Sequence, residues 1–165
     1  ILLENQYDTA IIEAGISLPG EMQSLERIIR PDIGIFTGIG DAHRENFESE
    51  EQKIREKLQL FKNSELLIYN NENKTVNKII QKQLPHIKKI SWTARRNKAD
   101  IRINIKAAEN HTKIKACFGS EEHNIEIRQQ DKASLNNIGH CLAYLFALYE
   151  IEKIHPENFN TIPKI

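Results

Sequence analysis

Short runs of apolar, β-branched residues alternate with helical patterns along much of this chain, and this alternation constrains the fold more than any other feature. Four such runs are found, at residues 9–14, 33–39, 65–69 and 89–92. Three segments with helical periodicity separate them, at residues 21–29, 50–61 and 75–83. Continuous apolar runs of this length are typical of parallel strands that helices cover on both faces. The pattern therefore predicts an α/β fold with a mostly parallel sheet flanked by helices.

From residue 100 onwards the pattern changes to a strict alternation of apolar and polar residues. Three groups alternate in this way: Ile101, Ile103 and Ile105; Ile114, Ala116 and Phe118; and Ile125 and Ile127. A period of two indicates antiparallel strands with one buried face. We therefore expect an antiparallel β-meander at about residues 100–130, inserted before a long apolar helix at 131–150. A shorter helix is predicted at 156–162.

The composition indicates one globular domain. With 165 residues and 39% hydrophobic content, the chain can bury one core, so residues 1–165 are predicted to form a single domain. Lys and Arg balance Asp and Glu at 23 each, which gives no net attraction to nucleic acid or an anionic membrane. No apolar run approaches the roughly 20 residues that span a bilayer. Cys117 and Cys141 lie in unrelated contexts, so neither a disulfide framework nor a zinc site is predicted, and we expect a cytoplasmic protein.

Three chemically active side chains lie near the predicted ends of the first two strands. Glu13 ends the first run, His43 follows the second, and Lys57 lies on the next helix. Open α/β sheets bind ligands at the carboxyl ends of their strands, and a carboxylate is a ligand that Mg²⁺ prefers. Each residue also has an ordinary interpretation. Glu13 can be a solvated carboxylate, His43 a structural or exposed histidine, and Lys57 part of a solvated helix surface.

Several strings of this sequence resemble the central ATPase domain of the Mur ligases. They are EAGISLPGEM, PDIGIFTGIGDAHRENFES, REKLQLF and YNNEN, and the similarity extends over about residues 7–162. The family pattern is a strand ending in E-x-G, a G-E before a helix, a strand leading to A-H-x-E-x-F, and then a lysine. Within the family, the chain is most similar to the ligases that add D-alanyl-D-alanine to UDP-N-acetylmuramoyl-tripeptide. The resemblance implies a P-loop-like fold and the use of ATP and Mg²⁺.

The resemblance also implies roles for individual residues. Glu13 and His43 would bind the Mg²⁺ ions that neutralise the ATP phosphates and the acyl phosphate intermediate, and His43 would thereby take part in catalysis. Lys57 would be the carbamylated lysine of the family, since reaction with CO₂ converts a cation into an anion that can hold a second Mg²⁺. Asn70 matches an asparagine of the family's N-A-D-N string. Asn137 matches the asparagine that hydrogen-bonds adenine.

The chain also departs from the family pattern. Ala133 and Ser134 stand where the family usually has His-Asn, and Gly38 stands where an asparagine is common. No G-x-x-G-K-[ST] string occurs, and in the family that phosphate-binding loop lies just upstream of the first strand found here. We therefore expect a part of a longer protein, separated from an N-terminal UDP-binding domain and a C-terminal domain, and inactive by itself.

Two alternatives to the D-alanyl-D-alanine ligase stay open on the sequence. The first is another ATP-dependent amide ligase of the same superfamily, such as a folylpolyglutamate synthase or a cyanophycin synthetase. The second is a degenerate, non-catalytic scaffold that keeps the fold. The joint presence of Glu13, His43 and Lys57 favours an enzyme over the scaffold. A role in peptidoglycan synthesis would place the protein in a bacterial cytoplasm.

Overall fold

A computed structural model describes residues 9–95 and 98–152 of the chain, with side chains as far as Tyr149. Within these residues the strands are β1 (Ile33–Phe36), β2 (Leu66–Asn70), β3 (Lys88–Thr93), β4 (Ile101–Ala107), β5 (Thr112–Phe118) and β6 (Glu121–Ile127). The α-helices are α1 (Glu21–Ile29), α2 (Glu50–Leu58), α3 (Lys74–Gln83) and α4 (Lys132–Glu152). Two short 3₁₀ turns, Arg44–Asn46 and Gln59–Phe61, lie on either side of α2. In this part of the chain, no helix is long and apolar enough to cross a bilayer.

The six strands form one sheet in the order β1-β2-β3-β4-β5-β6. The first four strands pair in parallel, and β4, β5 and β6 pair antiparallel. The predicted α/β fold with a parallel sheet and an antiparallel meander is therefore confirmed. The meander extends the parallel sheet directly, because Trp92 and Thr93 of β3 pair with Ile101 and Arg102 of β4.

Strand β2 lies at the centre of the core and is buried on both faces. Its side chains alternate, so that Leu67 and Tyr69 pack with the core on the side of α1, α2 and α3. Leu66 and Ile68 pack on the opposite face, together with residues of α4 and the meander. These four side chains are at most 2% exposed, which explains why the strand is apolar without alternation.

Local sequence signals position α2, the helix next to the candidate site. The sequence places Gln52 three positions after Ser49, the spacing of a capping box, and the Ser49 hydroxyl accepts a hydrogen bond from the Gln52 backbone N–H at 3.1 Å. The Gln52 side-chain oxygen accepts in return from the backbone N–H of Glu48, at 2.6 Å. Ile54 and Leu58 are fully buried, so the helix is held by its N-terminal cap and by its apolar stripe.

The predicted strand at residues 9–14 is wrong. This segment is irregular, Ile11 is 93% exposed and Ile12 is 50% exposed. An apolar run becomes a buried strand only where a neighbouring strand supplies hydrogen bonds and helices cover both faces, and the described residues supply neither here. The chain meets the core from Ala14 and Ile16 onwards.

The predicted strand at residues 33–39 is shorter than expected, since β1 ends at Phe36. Gly38 has a φ of 132°, which is outside the range of a strand and favours glycine. The backbone therefore turns away from the sheet at this point. The predicted helix at 156–162 lies outside the described residues.

Helix α4 lies against β3 at Gly139, where a side chain would not fit. A Cβ atom at this position would be 2.3 Å from a ring carbon of Trp92, and Trp92 is only 2% exposed. Interiors packed to this density do not accept an added methyl group without displacement of neighbours.

We expect Gly139→Ala to lower the free energy of unfolding by about 1–2 kcal/mol, measured by urea denaturation. Three ring carbons within 2.6 Å place the overpacking cost in the upper part of the usual range of about 1–3 kcal/mol, and it therefore exceeds the helix preference of alanine over glycine, about 1 kcal/mol. Gly15→Ala is the control, because a Cβ there meets no atom within 4 Å. A Gly139→Ala protein as stable as the wild type would show that the Trp92 ring moves aside freely.

Candidate functional site

The candidate site lies where the chain leaves the carboxyl end of β1. Residues 37–43 form an irregular loop that carries two glycines, Gly38 and Gly40. His43 ends this loop in a left-handed conformation, with φ 58° and ψ 25°, and its side chain is exposed. The backbone then enters the 3₁₀ turn Arg44–Asn46. The position of His43 beyond a strand end agrees with the sequence-based expectation.

Two lysines of α2 hold this loop. Lys57 Nζ donates a hydrogen bond to the Gly38 carbonyl oxygen at 2.8 Å. Lys53 Nζ donates to the Gly40 carbonyl oxygen at 2.8 Å and also to the carbonyl oxygen of Ala42. The two lysines are four positions apart and therefore lie on one face of the helix. The fold thus brings Lys57 against the loop that carries His43.

Burial and charge lower the pKa of Lys57. Loss of solvent is the larger cause, and repulsion from the Lys53 ammonium is the smaller one. One aromatic ring lies beside each lysine, since Nζ of Lys57 is 5.7 Å from the centroid of the Phe36 ring and Nζ of Lys53 is 5.7 Å from that of Phe47. A larger fraction of Lys57 is therefore in the neutral amine form near neutral pH than would be the case for an exposed lysine.

Two carboxylates accept hydrogen bonds from the backbone of a second loop, residues 15–20. One oxygen of Glu21 accepts from the backbone N–H of Ser17 at 2.6 Å and from that of Leu18 at 2.8 Å. Glu56 of α2 accepts from the backbone N–H of Gly20 at 2.9 Å. The same face of α2 therefore holds both loops, with Glu56 on one and the two lysines on the other.

Glu21 also links the second loop electrostatically to His43. The Leu18 and Ser17 amides lower the pKa of Glu21, and His43 lowers it further by a smaller amount. Asn46 adds a direct contact, because its side-chain N–H donates to the Ser17 carbonyl oxygen at 2.9 Å. The Asn46 bond thus joins the second loop to the 3₁₀ turn that follows His43.

The structure does not place Glu13 at the end of a strand, because the segment before it is not a strand. Its side chain is exposed. Within residues 9–95 and 98–152, no three His, Cys, Asp or Glu side chains are grouped so as to hold a metal ion. Mg²⁺ commonly takes one or two protein ligands and completes its shell with phosphates and water. The described side chains therefore form no closed protein cage for a metal, and the carboxylate of Glu13 and the imidazole of His43 are both exposed to solvent.

Asparagine side chains form a polar edge at the carboxyl ends of β1 and β2. Asn70, at the end of β2, donates to the side-chain oxygen of Asn136 at 3.5 Å and accepts from the backbone N–H of Glu72 at 2.8 Å. Asn136 of α4 donates to the Thr37 carbonyl oxygen at 3.4 Å. Asn137, the predicted adenine ligand, has an exposed side chain on the same helix. Asn70 and Asn136 are therefore brought together at this edge.

Asn136 was not singled out from the sequence, although its spacing carries a signal. It lies four and seven positions before His140 and Ala143, which are buried, and so it shares their face of the helix. Asn137 lies four positions before Cys141, which is exposed. Lys53 and Glu56 were also missed, because charged residues on a helix rich in Lys and Glu give no sign of the loops that fold onto them.

A buried histidine lies behind this polar edge. Trp92 donates its indole N–H to Nδ1 of His140 at 3.1 Å, and the two rings meet edge to face at 5.1 Å. His140 is 3% exposed. Burial lowers its pKa to about 4, and the Thr37 carbonyl offsets only part of this effect. His140 is therefore neutral at physiological pH and accepts the tryptophan hydrogen bond.

The family follows from a comparison with known protein families. A model described as the Mur ligase middle domain matches residues 1–145. The chain belongs to this family. The match covers the sheet and most of α4, including both loops described above.

Individual relatives agree with this Mur ligase assignment. The UDP-N-acetylmuramoyl-tripeptide–D-alanyl-D-alanine ligase of Rickettsia prowazekii is 36% identical over 81 residues, which are 47% of this chain and 18% of that ligase. A crystal structure of MurF from Acinetobacter baumannii superposes with a TM-score of 0.79 and 16% identity, over 94% of this chain and 33% of that one. MurF from Thermotoga maritima in complex with ADP gives a TM-score of 0.68 with 18% identity, over 80% of this chain and 31% of that one. This Mur ligase middle domain thus spans a third or less of these relatives.

We expect His140 to lower the free energy of unfolding by about 3 kcal/mol as the pH is lowered from 6.5 to 4. In the unfolded chain His140 has the ordinary pKa of 6.5, whereas in the folded protein its pKa is about 4, so the folded protein binds this proton only at lower pH. The unfolded state therefore gains stability as the pH falls through this range. Urea denaturation at a series of pH values measures the slope.

His140→Asn is the matched variant, because its side-chain oxygen can replace Nδ1 as the acceptor for Trp92. The variant is expected to lose most of the slope between pH 6.5 and about pH 5, where ordinary carboxylates remain ionised. An identical slope in both proteins would show that His140 is not the group that titrates.

Proposed function

We propose that this Mur ligase middle domain belongs to an ATP-dependent ligase that adds D-alanyl-D-alanine to UDP-N-acetylmuramoyl-tripeptide. The observation that carries the proposal is the hydrogen bond from Lys57 to Gly38, which joins α2 to the loop of His43 at the carboxyl end of β1. The relative from R. prowazekii is named for this reaction. The activity is proposed for a longer protein that contains this chain, in a bacterial cytoplasm.

In the proposed reaction, the tripeptide carboxylate attacks the γ-phosphate of ATP, which gives an acyl phosphate and ADP. The amine of D-alanyl-D-alanine then attacks the acyl carbon, an amide forms, and phosphate leaves with the bonding electrons. Mg²⁺, when bound, would stabilise the negative charge that builds up on the phosphate oxygens. The protein residues would hold the cation and orient the nucleotide.

Lys57 is suited to the proposed carbamylation. CO₂ reacts with a neutral amine, and burial together with Lys53 favours the neutral form of Lys57. The carbamate would place an anionic oxygen beside the loop of His43, where the ammonium now lies. Glu13, with an exposed carboxylate, and His43 would complete the protein ligands to Mg²⁺.

Nucleotide binding is proposed at the polar edge of the sheet. The relative from T. maritima, with the same fold, was crystallised in complex with ADP. Asn70 and Asn137 are the proposed contacts to ATP. Asn136 is hydrogen-bonded to both Asn70 and the Thr37 carbonyl, and it can therefore orient the Asn70 side chain. An amide side chain can donate to and accept from the adenine edge at once.

The test of the proposed function is ADP release by the longer protein that contains this chain. Release is expected only when UDP-N-acetylmuramoyl-tripeptide, D-alanyl-D-alanine and Mg²⁺-ATP are all present. Release that instead requires a folate and glutamate would assign the chain to another ligase of the superfamily. No release with either set of substrates would favour the non-catalytic scaffold.

A Lys57→Ala substitution in the same protein tests the cation site. We expect ligase activity to fall by at least about a hundredfold, since an anion that stabilises the cation is removed. Formate or acetate should restore part of the activity by occupying the vacated position of the carbamate. Lys89→Ala is the control, because Lys89 is also partly buried and bonded to a backbone carbonyl, that of Ile87, at 2.8 Å. Full activity of Lys57→Ala would contradict the proposed role.

A further inference from the structure

Lys53 is a buried lysine that neither the family pattern nor the proposed reaction accounts for. It is 4% exposed, although it lies on a helix with a solvent-facing side. A buried ammonium group is unfavourable unless hydrogen bonds replace its lost water. Two carbonyl oxygens, those of Gly40 and Ala42, and the face of the Phe47 ring provide this replacement. All three partners lie on the segment that contains His43.

The bond to Ala42 bears directly on His43. The Ala42 carbonyl belongs to the peptide group that joins Ala42 to His43, so its direction is coupled to the φ angle of His43. That φ is 58°, in the left-handed region, which is unfavourable for residues other than glycine because Cβ approaches the backbone. A non-glycine residue keeps such a conformation only where its surroundings impose it.

The rest of the loop gives His43 little other support. Gly38 and Gly40 allow the backbone many conformations, and residues 39–43 are exposed or only partly buried. The backbone hydrogen bonds nearest His43 are local, from Arg44 N–H to the Asp41 carbonyl and from Asn46 N–H to the His43 carbonyl, each at 3.2 Å. The longer-range bonds, of Lys57 to Gly38 and of Asn46 to Ser17, do not involve the peptide groups on either side of His43. Lys53 therefore connects the peptide carbonyl directly before His43 to the packed helix α2, whereas Lys57 holds the start of the loop at Gly38.

We propose that Lys53 is a positioning residue. It binds the Gly40 and Ala42 carbonyls and thereby keeps His43 in its left-handed conformation at the candidate site. The hold on the backbone follows from the hydrogen bonds alone. Its consequence for a cation rests on the proposed function, in which His43 is a ligand of Mg²⁺. A group that orients a metal ligand typically changes metal affinity about ten- to a hundredfold when it is removed.

The test compares Lys53→Met with the wild-type protein by hydrogen exchange of individual amides, followed by NMR. Methionine keeps a long apolar stem and removes the ammonium donor. We expect exchange at the amides of Arg44, Asn46 and Phe47 to become about ten- to a hundredfold faster, the loss expected for a hydrogen bond to a charged group. Core amides such as those of Ile54 and Leu58 separate this local effect from global destabilisation, which would accelerate all slow amides alike.

Mn²⁺ binding in the presence of ATP, measured by electron paramagnetic resonance on the longer protein, gives the second readout. Lys53→Met is expected to weaken binding about tenfold. Lys89→Met is the matched control, because it removes another partly buried lysine with a backbone carbonyl partner. It should leave both readouts unchanged.

The outcomes separate the proposal from the proposed function. Unchanged exchange at residues 44–47, or faster exchange with unchanged Mn²⁺ affinity, would overturn the positioning role. If exchange is faster in Lys53→Met but the wild-type protein itself binds no Mn²⁺, the result would support the binding of the loop by Lys53 and overturn the proposed cation site. A further measurement needs no variant: the ¹⁵N-labelled ammonium protons of Lys53 should be protected from exchange with water, and their absence from the spectrum at low pH would also overturn the proposal.

Discussion

The parallel pairing of β1, β2 and β3 is the constraint on which the rest of the structure depends. Strand β2 is buried on both faces, and its register aligns Phe36, Tyr69 and Ser91 across the three strands. Parallel strands place all their carboxyl ends at one edge, so Thr37 and Asn70 reach the same edge of the sheet. Helix α4 can then add Asn136 to this edge because Gly139 lets it approach Trp92 closely.

Helix α2 combines two functions that its sequence does not separate. Its apolar stripe, with Ile54 and Leu58, fixes the helix in the core. The adjacent face carries Lys53, Glu56 and Lys57, and these side chains hold the loops at 15–20 and 37–43. Charged groups bound to backbone carbonyls and amides can order irregular chain that has no ladder of its own. The side chains that hold the loops of the candidate site therefore come from a helix outside the sheet.

Sequence reasoning succeeded where a pattern is local and failed where the answer depends on a distant segment. The cap at Ser49 and the alternation in β4 to β6 are local, and both are found in the structure. The apolar run at 9–14 was predicted as a strand, but composition cannot supply the neighbouring strand that burial requires. The adjacent Asn136 and Asn137 differ by only 100° around a helix, and the packing of α4 on the sheet decides which of them faces Asn70.

The sequence by itself determined the α/β class, the antiparallel extension of the sheet, the family resemblance and the residues His43, Lys57 and Asn70 as candidates for a site. Each of these rests on periodicity or on short strings of neighbouring residues. Only the tertiary structure decided that Lys53 is buried, that Glu21 and Glu56 fasten a loop, and that His140 is a neutral acceptor for Trp92. The physical reason is that burial, hydrogen-bond partners and pKa shifts are created by segments far apart in the chain, and they exist only once the chain has folded.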